Sequence, residues 1–203
     1  PVSTAVITAI TEDRGISGDF ITNDKTLTIS GKVNGALEAG DKVQVSLDGG
    51  VTWKDAVSHA DGTWTLDNTA NPFADGTYTF ESRVIDAAGI PGVAASQNVT
   101  IDSVLTPNTA MSLTGYEDKG VSSTDFYSSD TQFTLNVTGE AGAQVIYQTL
   151  VNGTWTDLNT ATIAANNTSS YNVDWSAQQI NDESRKFRAV ITDVAGNSAT
   201  AYV

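Results

Sequence analysis

Along most of this chain apolar and polar residues alternate in short runs, broken by glycine, aspartate and asparagine. Val, Ile, Thr, Tyr and Trp fill the runs, and turn residues return about every 8–12 positions, the pattern of half-buried strands joined by tight turns. No stretch carries a sustained helical period; the nearest, 176–187, has room for a single turn. The alternation predicts strands at 4–11, 26–33, 42–48, 52–56, 63–67, 77–86 and 94–102. It predicts a second series at 109–115, 132–138, 144–150, 154–158, 170–175, 184–193 and 198–203. The expected fold class is all-β: two tandem seven-stranded β-sandwiches in an elongated arrangement.

The two series are copies of one another. Glu12-Asp13-Arg14-Gly15-Ile16-Ser17-Gly18-Asp19-Phe20 through Asp24 returns about 105 residues on as Glu117-Asp118-Lys119-Gly120-Val121 through Asp125-Phe126 and Asp130. Arg83-Val84-Ile85-Asp86-Ala87-Ala88-Gly89 returns as Arg188-Ala189-Val190-Ile191-Thr192-Asp193-Val194-Ala195-Gly196. Domains are therefore expected at 1–102 and 103–203, joined by a short segment around Pro107 that is no Gly/Ser tether. Asp48-Gly49-Gly50 and Asn152-Gly153 read as hairpin turns. Tyr78, opening the strand after Asp75-Gly76-Thr77, resembles the tyrosine corner of immunoglobulin-like sandwiches. Trp53 and Trp64 are expected in or near the first core.

Charge narrows the function. With 24 acidic and 10 basic residues the net charge is −14, which disfavours nucleic acid and anionic membranes. No apolar run approaches the roughly 18 residues of a membrane span, and no basic-then-apolar leader is present, as expected of a piece cut from a longer chain. Cysteine is absent; an exported domain of this size does not need disulfides.

The acidic residues fall in loops. Antiparallel strands in odd number place the loop 12–24 at the pole where the last strand of the first copy leaves through Asp102. The second copy is expected to present Glu140 and Asp193 across the junction. Asp13, Asp19, Asp24, Asp102 and Asp193 are thus expected to gather at one interface. Crowded carboxylates repel, and a cation relieves them. Ca²⁺ suits Asp, Asn and backbone carbonyls in glycine-rich loops. Zn²⁺ does not, since the chain offers only His59; Mg²⁺ demands a tighter octahedron. The competing reading makes each Asp a solvated turn former. Asp19–Asp24 and Asp125–Asp130 share one spacing, which favours the cation, although no EF-hand pattern is present.

Gly18-Asp19-Phe20-Ile21-Thr22-Asn23-Asp24-Lys25-Thr26-Leu27-Thr28-Ile29-Ser30-Gly31, Ala74-Asp75-Gly76-Thr77-Tyr78 and Val84-Ile85-Asp86-Ala87-Ala88-Gly89 resemble the bacterial Ig-like repeats of giant surface adhesins. These are exported by type I secretion and include biofilm-associated proteins. The resemblance covers nearly all of the first copy and the ends of the second. It implies immunoglobulin-like sandwiches, no enzyme activity, and a calcium-rigidified stalk for cell adhesion, secreted and retained on the cell surface, with a role in biofilm or virulence. Its partners would be neighbouring repeats of the same chain, the host or abiotic surface being met elsewhere in the parent, and the chain would be monomeric. The calcium role would fall to Asp13, Asp19, Asp24, Asp86 and Asp102, and in the second copy to Asp118, Asp125, Asp130 and Asp193. One extra residue before Asp125 and Ser128-Ser129 in place of Thr22-Asn23 put the second site in doubt.

A hydrolase triad needs a histidine base, and His59 sits in a polar turn with no nucleophile signature beside it. Phosphate-loop and dinucleotide motifs are absent. The rival is a calcium-dependent carbohydrate- or receptor-binding module, with Trp155 and Trp175 stacking on a sugar if exposed; packing in a core or at an edge is the alternative for both.

Overall fold

The computed structural model describes residues 1–106, 109–118, 130–176 and 185–203, in which every regular element is a strand. Asp125 and most of 176–187 lie outside this set. The chain divides into two compact units, 1–104 and 105–203.

In unit 1 the strands are β1 (Thr4–Ile10), β2 (Ile21–Thr22), β3 (Thr28–Asn34), β4 (Lys42–Ser46), β5 (Lys54–Asp55), β6 (Val57–Ser58), β7 (Thr63–Asp67), β8 (Gly76–Ile85) and β9 (Ala95–Ile101). They form two sheets, ordered β1-β3-β7-β6 and β2-β9-β8-β4-β5. Alternate residues point inward: Ile29, Val43 and Val45, Trp64 and Leu66, Phe80 and Val84, Val99 and Ile101 close a core between the sheets. Ser82, also buried, donates its hydroxyl to the Ala5 carbonyl at 2.9 Å and so bonds one sheet to the other. Gly31 sits where a Cβ would overlap the Trp64 ring and the Val6 carbonyl. Only glycine lets β1 and the indole close over β3.

Two features depart from the alternation. The predicted strand 52–56 starts late and changes sheets. Asp48 accepts the Thr52 amide at 2.8 Å and Ser46 accepts the Gly50 amide at 2.8 Å, so 48–52 is wound into a turn. Lys54–Asp55 then pairs with β4, and Val57–Ser58 pairs with β7. Trp53, expected near the core, lies on the outer face, because its parity matches Asp55, which stands opposite the outward Gln44. Trp64 is fully buried as expected. The second departure is β2, two residues inside the acidic loop, which pairs parallel with the end of β9.

Unit 2 has β10 (Ala110–Thr114), β11 (Gln132–Thr138), β12 (Gln144–Val151), β13 (Thr154–Thr162), β14 (Thr168–Asp174), β15 (Phe187–Thr192) and β16 (Ser198–Tyr202). The sheets run β10-β11-β14 and β13-β12-β15-β16. Phe133, Leu135, Val145, Tyr147, Phe187, Ala189 and Ile191 fill the core. Asn152 and Gly153 both adopt positive φ, 50° and 79°, as a two-residue primed turn requires. That compact turn lets β13 run to Thr162, four residues beyond the predicted 158.

Candidate metal centre

The loop between β1 and β3 is held by its own carboxylates. Asp13 accepts the Gly18 amide at 2.7 Å through Oδ2. Its other oxygen, Oδ1, is buried and has no hydrogen-bond partner. Asp19 accepts the Ile21 amide at 2.9 Å, which turns the chain into β2. Asp24 accepts both the amide and the hydroxyl of Thr26 at 2.8 Å. Glu12 and Phe20 take positive φ, 48° and 61°, beside Gly15 and Gly18 at 80° and 92°. Left-handed backbone at non-glycine residues is costly and persists only where the surroundings over-determine it.

Thr22 ties this loop to the strand that leaves the unit. It is fully buried; its hydroxyl donates to the Glu12 carbonyl at 2.6 Å and accepts the Asp24 amide at 3.1 Å. The amides of Thr100 and Asp102 donate to the carbonyls of Phe20 and Thr22, both at 2.9 Å. Asp102 also accepts the Val104 amide at 3.1 Å. Next to this exit Lys25 meets Asp75 at 3.0 Å and the Ser103 hydroxyl donates to Asp75 at 2.9 Å. The Lys25 ammonium first, and Ser103 after it, hold the Asp75 carboxyl below its ordinary pKa.

Within unit 1 no three described carboxylates bring oxygens within 4.8 Å of one another, so Asp13, Asp19 and Asp24 line one loop without converging on one point. Asp86 lies apart, in the turn after β8, where it accepts the amides of Ala88 and Ile90 at 3.0 and 2.8 Å. For Asp24 and Asp86 the turn-forming role is visible.

In unit 2, Asp130 repeats the Asp24 geometry, accepting the Gln132 amide at 3.0 Å, and adds the Glu117 amide at 2.8 Å. Asp118 belongs to the same loop; Asp125 is outside the described residues. Asp193 is only 4% exposed and accepts the Asn197 amide and carboxamide, both at 2.8 Å. A carboxylate oxygen of Glu140 lies within 4.8 Å of one on Asp193, and Glu140 accepts the Thr106 amide at 3.1 Å. A second anion held close to a buried one is the arrangement a cation stabilises. Glu140 was absent from the ligand set that the resemblance implied; its signal was the shared Glu-Ala-Gly of 38–40 and 140–142.

His59 is exposed and faces Thr65 Oγ1 at 3.2 Å. Trp175 packs on Phe133 and Phe187, with ring centres 5.6 and 5.9 Å away, as part of the core margin. Trp155 lies outside the core, near Tyr202.

Two sheets face to face, and a tyrosine corner closed by Tyr78 Oη donating to the Ala74 carbonyl at 3.0 Å, define an immunoglobulin-like sandwich. The chain belongs to the bacterial Ig-like domain family, which matches residues 2–103. No curated protein matches it significantly. Among solved structures it is similar to a tetra-tandem repeat from the extending region of a large adhesion protein, at 20% identity and TM-score 0.39, covering 99% of this chain and 48% of that one. It is also similar to a Ca²⁺-stabilized adhesin with which an Antarctic bacterium reaches out and binds ice, at 24% identity and TM-score 0.40, covering 98% and 47%. The fibronectin(III)-like modules of Clostridium thermocellum CbhA share the fold at 13% identity and TM-score 0.51, covering 98% and 92%. The chain spans about half the length of the two adhesins.

Proposed function

We propose that this chain is a pair of structural repeats from a bacterial surface adhesin, and that Ca²⁺ bound by loop carboxylates stiffens the passage from one repeat to the next. The observation that carries the reading is the bonding of the acidic loop to the exit strand: Asp102 and Thr100 hang from the carbonyls of Thr22 and Phe20. A cation on the loop would therefore fix the residues that lead into the next unit. The donor set suits a hard cation, since the chain has no cysteine, one histidine and many loop carboxylates. Asp13 Oδ1, buried and unpartnered, is an oxygen waiting for one.

In this reading Asp13, Asp19, Asp24 and Asp102 serve the end of unit 1, and Asp118, Asp125 and Asp130 serve the end of unit 2. Asp86 and Asp193 stand at the opposite pole of their units, Asp193 with Glu140. The bound ion would neutralise these carboxylates and cross-link backbone segments that otherwise hinge. Extracellular modules bind Ca²⁺ at about 10⁻⁴–10⁻³ M, so the sites would fill outside the cell and stay empty in the cytosol. The chain would be secreted and held at the cell surface as a non-enzymatic monomeric spacer, with adhesion performed elsewhere in the parent protein.

Small-angle X-ray scattering in millimolar Ca²⁺ and in EDTA tests this. A longer, narrower distance distribution with Ca²⁺ is expected. Identical profiles would show that the acidic loops are turns only.

A further inference from the structure

The outer face of the larger sheet of unit 2 carries a row of side chains that a spacer does not use. Asp157 on β13, Gln148 on β12, Arg188 on β15 and Tyr202 on β16 stand directly opposite one another across all four strands. Gln148 donates to Asp157 Oδ1 at 2.5 Å, and Arg188 Nε donates to Gln148 Oε1 at 2.6 Å. Trp155, two residues before Asp157 and opposite Leu150, shares this face. The Arg188 guanidinium carbon lies 4.3 Å from the centre of its ring. The Trp155 and Tyr202 rings are 6.2 Å apart at 59°. Three strand spacings, about 14 Å, separate their backbones. Both side chains must therefore lean inward over β12 and β15, so that they form a bent aromatic floor along the sheet. Tyr202 is 62% exposed.

Unit 1 holds the same row without the second ring. Asp55, Gln44 and Arg83 stand opposite one another on β5, β4 and β8. Gln44 donates to Asp55 at 3.0 Å, Arg83 donates twice to Gln44, and the Arg83 guanidinium lies 3.8 Å over Trp53. There the indole is pinned, its Nε1 donating to the Gly50 carbonyl at 3.0 Å. The ladder beside β8 runs to Ala95 opposite Ser82 and resumes where Gly92 bonds to Val84 and Pro91 bridges to Ile85; the residues between, Val93 and Ala94, carry no ring to match Tyr202. Two residues before the glutamine, unit 1 has Lys42 and unit 2 has Ile146. The Asp–Gln–Arg row is thus common scaffolding, and unit 2 alone adds a second ring and an apolar border.

We propose that the Trp155–Tyr202 floor of unit 2 is a binding site for a neutral saccharide. A pyranose has a flat C–H face and a rim of hydroxyls that both donate and accept. The aromatic floor suits the first. The Arg188 guanidinium and Tyr202 hydroxyl as donors, and the Asp157 carboxylate as acceptor, suit the second. Within the row Arg188 and Asp157 balance in charge through Gln148, and the chain as a whole is strongly acidic, so an anionic polysaccharide is not the natural ligand. The site is separate from the loops assigned to Ca²⁺ and does not rest on them.

The test uses the intact two-unit chain in EDTA, followed by NMR of the four indole N–H signals. Cello-, chito-, malto- and manno-oligosaccharides are titrated to millimolar concentration. At least one is expected to shift the Trp155 signal and leave Trp53 in place. Trp155→Ala should abolish that binding, Tyr202→Ala should weaken it about tenfold or more, equivalent to roughly 1.4 kcal/mol, and Trp53→Ala should bind as the parent does. Should Trp155→Ala unfold unit 2, Trp155→Phe keeps a smaller ring and is expected to bind more weakly. A Trp155 signal that no saccharide moves overturns the proposal, as does binding unchanged in the folded Trp155 variant.

Discussion

The amide of Asp102 donates to the carbonyl of Thr22 at 2.9 Å, so the residue that leaves unit 1 hangs from the centre of its acidic loop. Thr22 is the buried hub of that arrangement, with its hydroxyl bonded to Glu12 and Asp24. Thr22→Val keeps the shape and removes the hydroxyl. Two partly buried backbone groups then lose their partner, at a cost of about 1 kcal/mol. Urea unfolding should show that loss in both EDTA and Ca²⁺, and hydrogen exchange should show faster exchange of the Asp24 amide. Unchanged stability would mean that water replaces the hydroxyl and that the loop does not depend on it.

Gly31 is the second position where one atom decides the packing. Its φ is not in the left-handed region, so the constraint is steric and not conformational. A methyl group there has to displace the Trp64 ring and also push the Val6 carbonyl of β1 away from β3. Overpacking of this kind costs about 1–3 kcal/mol, and the enforced backbone shift places Gly31→Ala at the upper end. For a unit of this size each kcal/mol lowers Tm by roughly 4–8 °C. Calorimetry should show unit 1 melting earlier by that margin with unit 2 unchanged. Near-UV circular dichroism should report the displaced indole.

Most strands were legible because each unit buries one face of each sheet, and burial writes a period of two into the sequence. Asn152-Gly153 and Asp75-Gly76-Thr77-Tyr78 were legible for a different reason: a turn that needs positive φ, or a tyrosine that bonds back to Ala74, constrains residues close in sequence. What was not legible depends on partners far along the chain. β2 is too short to show a period and exists because β9 lies beside it. Trp53 was expected in or near the core, whereas its register, set by Asp55 opposite Gln44, sends it to the outer face beside Arg83. The Trp-x-Asp of 53–55 recurs at 155–157, but its glutamine and arginine partners sit on other strands, so the row emerges only in the fold. The sequence places the carboxylates in loops but does not give their geometry, and Asp24 and Asp86 are occupied with their own turns.

The Asp48 turn sets an acid limit. Hydrogen bonds from the Thr52 hydroxyl first, then the Thr52 amide and Ser46, lower the Asp48 pKa from 3.8 to about 2. A carboxylate whose folded pKa is depressed contributes stability that is complete above its unfolded pKa and is lost as pH falls through the folded one. Asp61 and Asp67, bonded in the same way to Thr63 and Thr69, are shifted in the same direction. Stability of unit 1 should therefore stay level down to about pH 4 and fall between about pH 4 and 2. Asp48→Asn should flatten part of that fall. NMR titration of the Asp48 carboxyl carbon checks the cause directly, and a midpoint at the ordinary carboxylate value would remove it.

Calcium and turn formation make opposite predictions for one isosteric change, Asp13→Asn. The asparagine carbonyl can still accept the Gly18 amide, so the turn is kept. What changes is the charge, and the buried oxygen that has no hydrogen-bond partner. If the loop only makes turns, removing a carboxylate charge of which one oxygen is buried and unpartnered is neutral or mildly stabilising, and Ca²⁺ alters neither protein. If the loop binds Ca²⁺, the parent gains RT ln(1 + [Ca²⁺]/Kd), about 2.7 kcal/mol at a hundred times Kd, and Asp13→Asn loses most of that gain while matching or exceeding the parent in EDTA. Asp67→Asn, in a turn outside the loop, should keep the full calcium gain. Calorimetry of the three proteins in EDTA and in millimolar Ca²⁺ separates the two cases, because only a metal site produces a loss confined to the calcium condition.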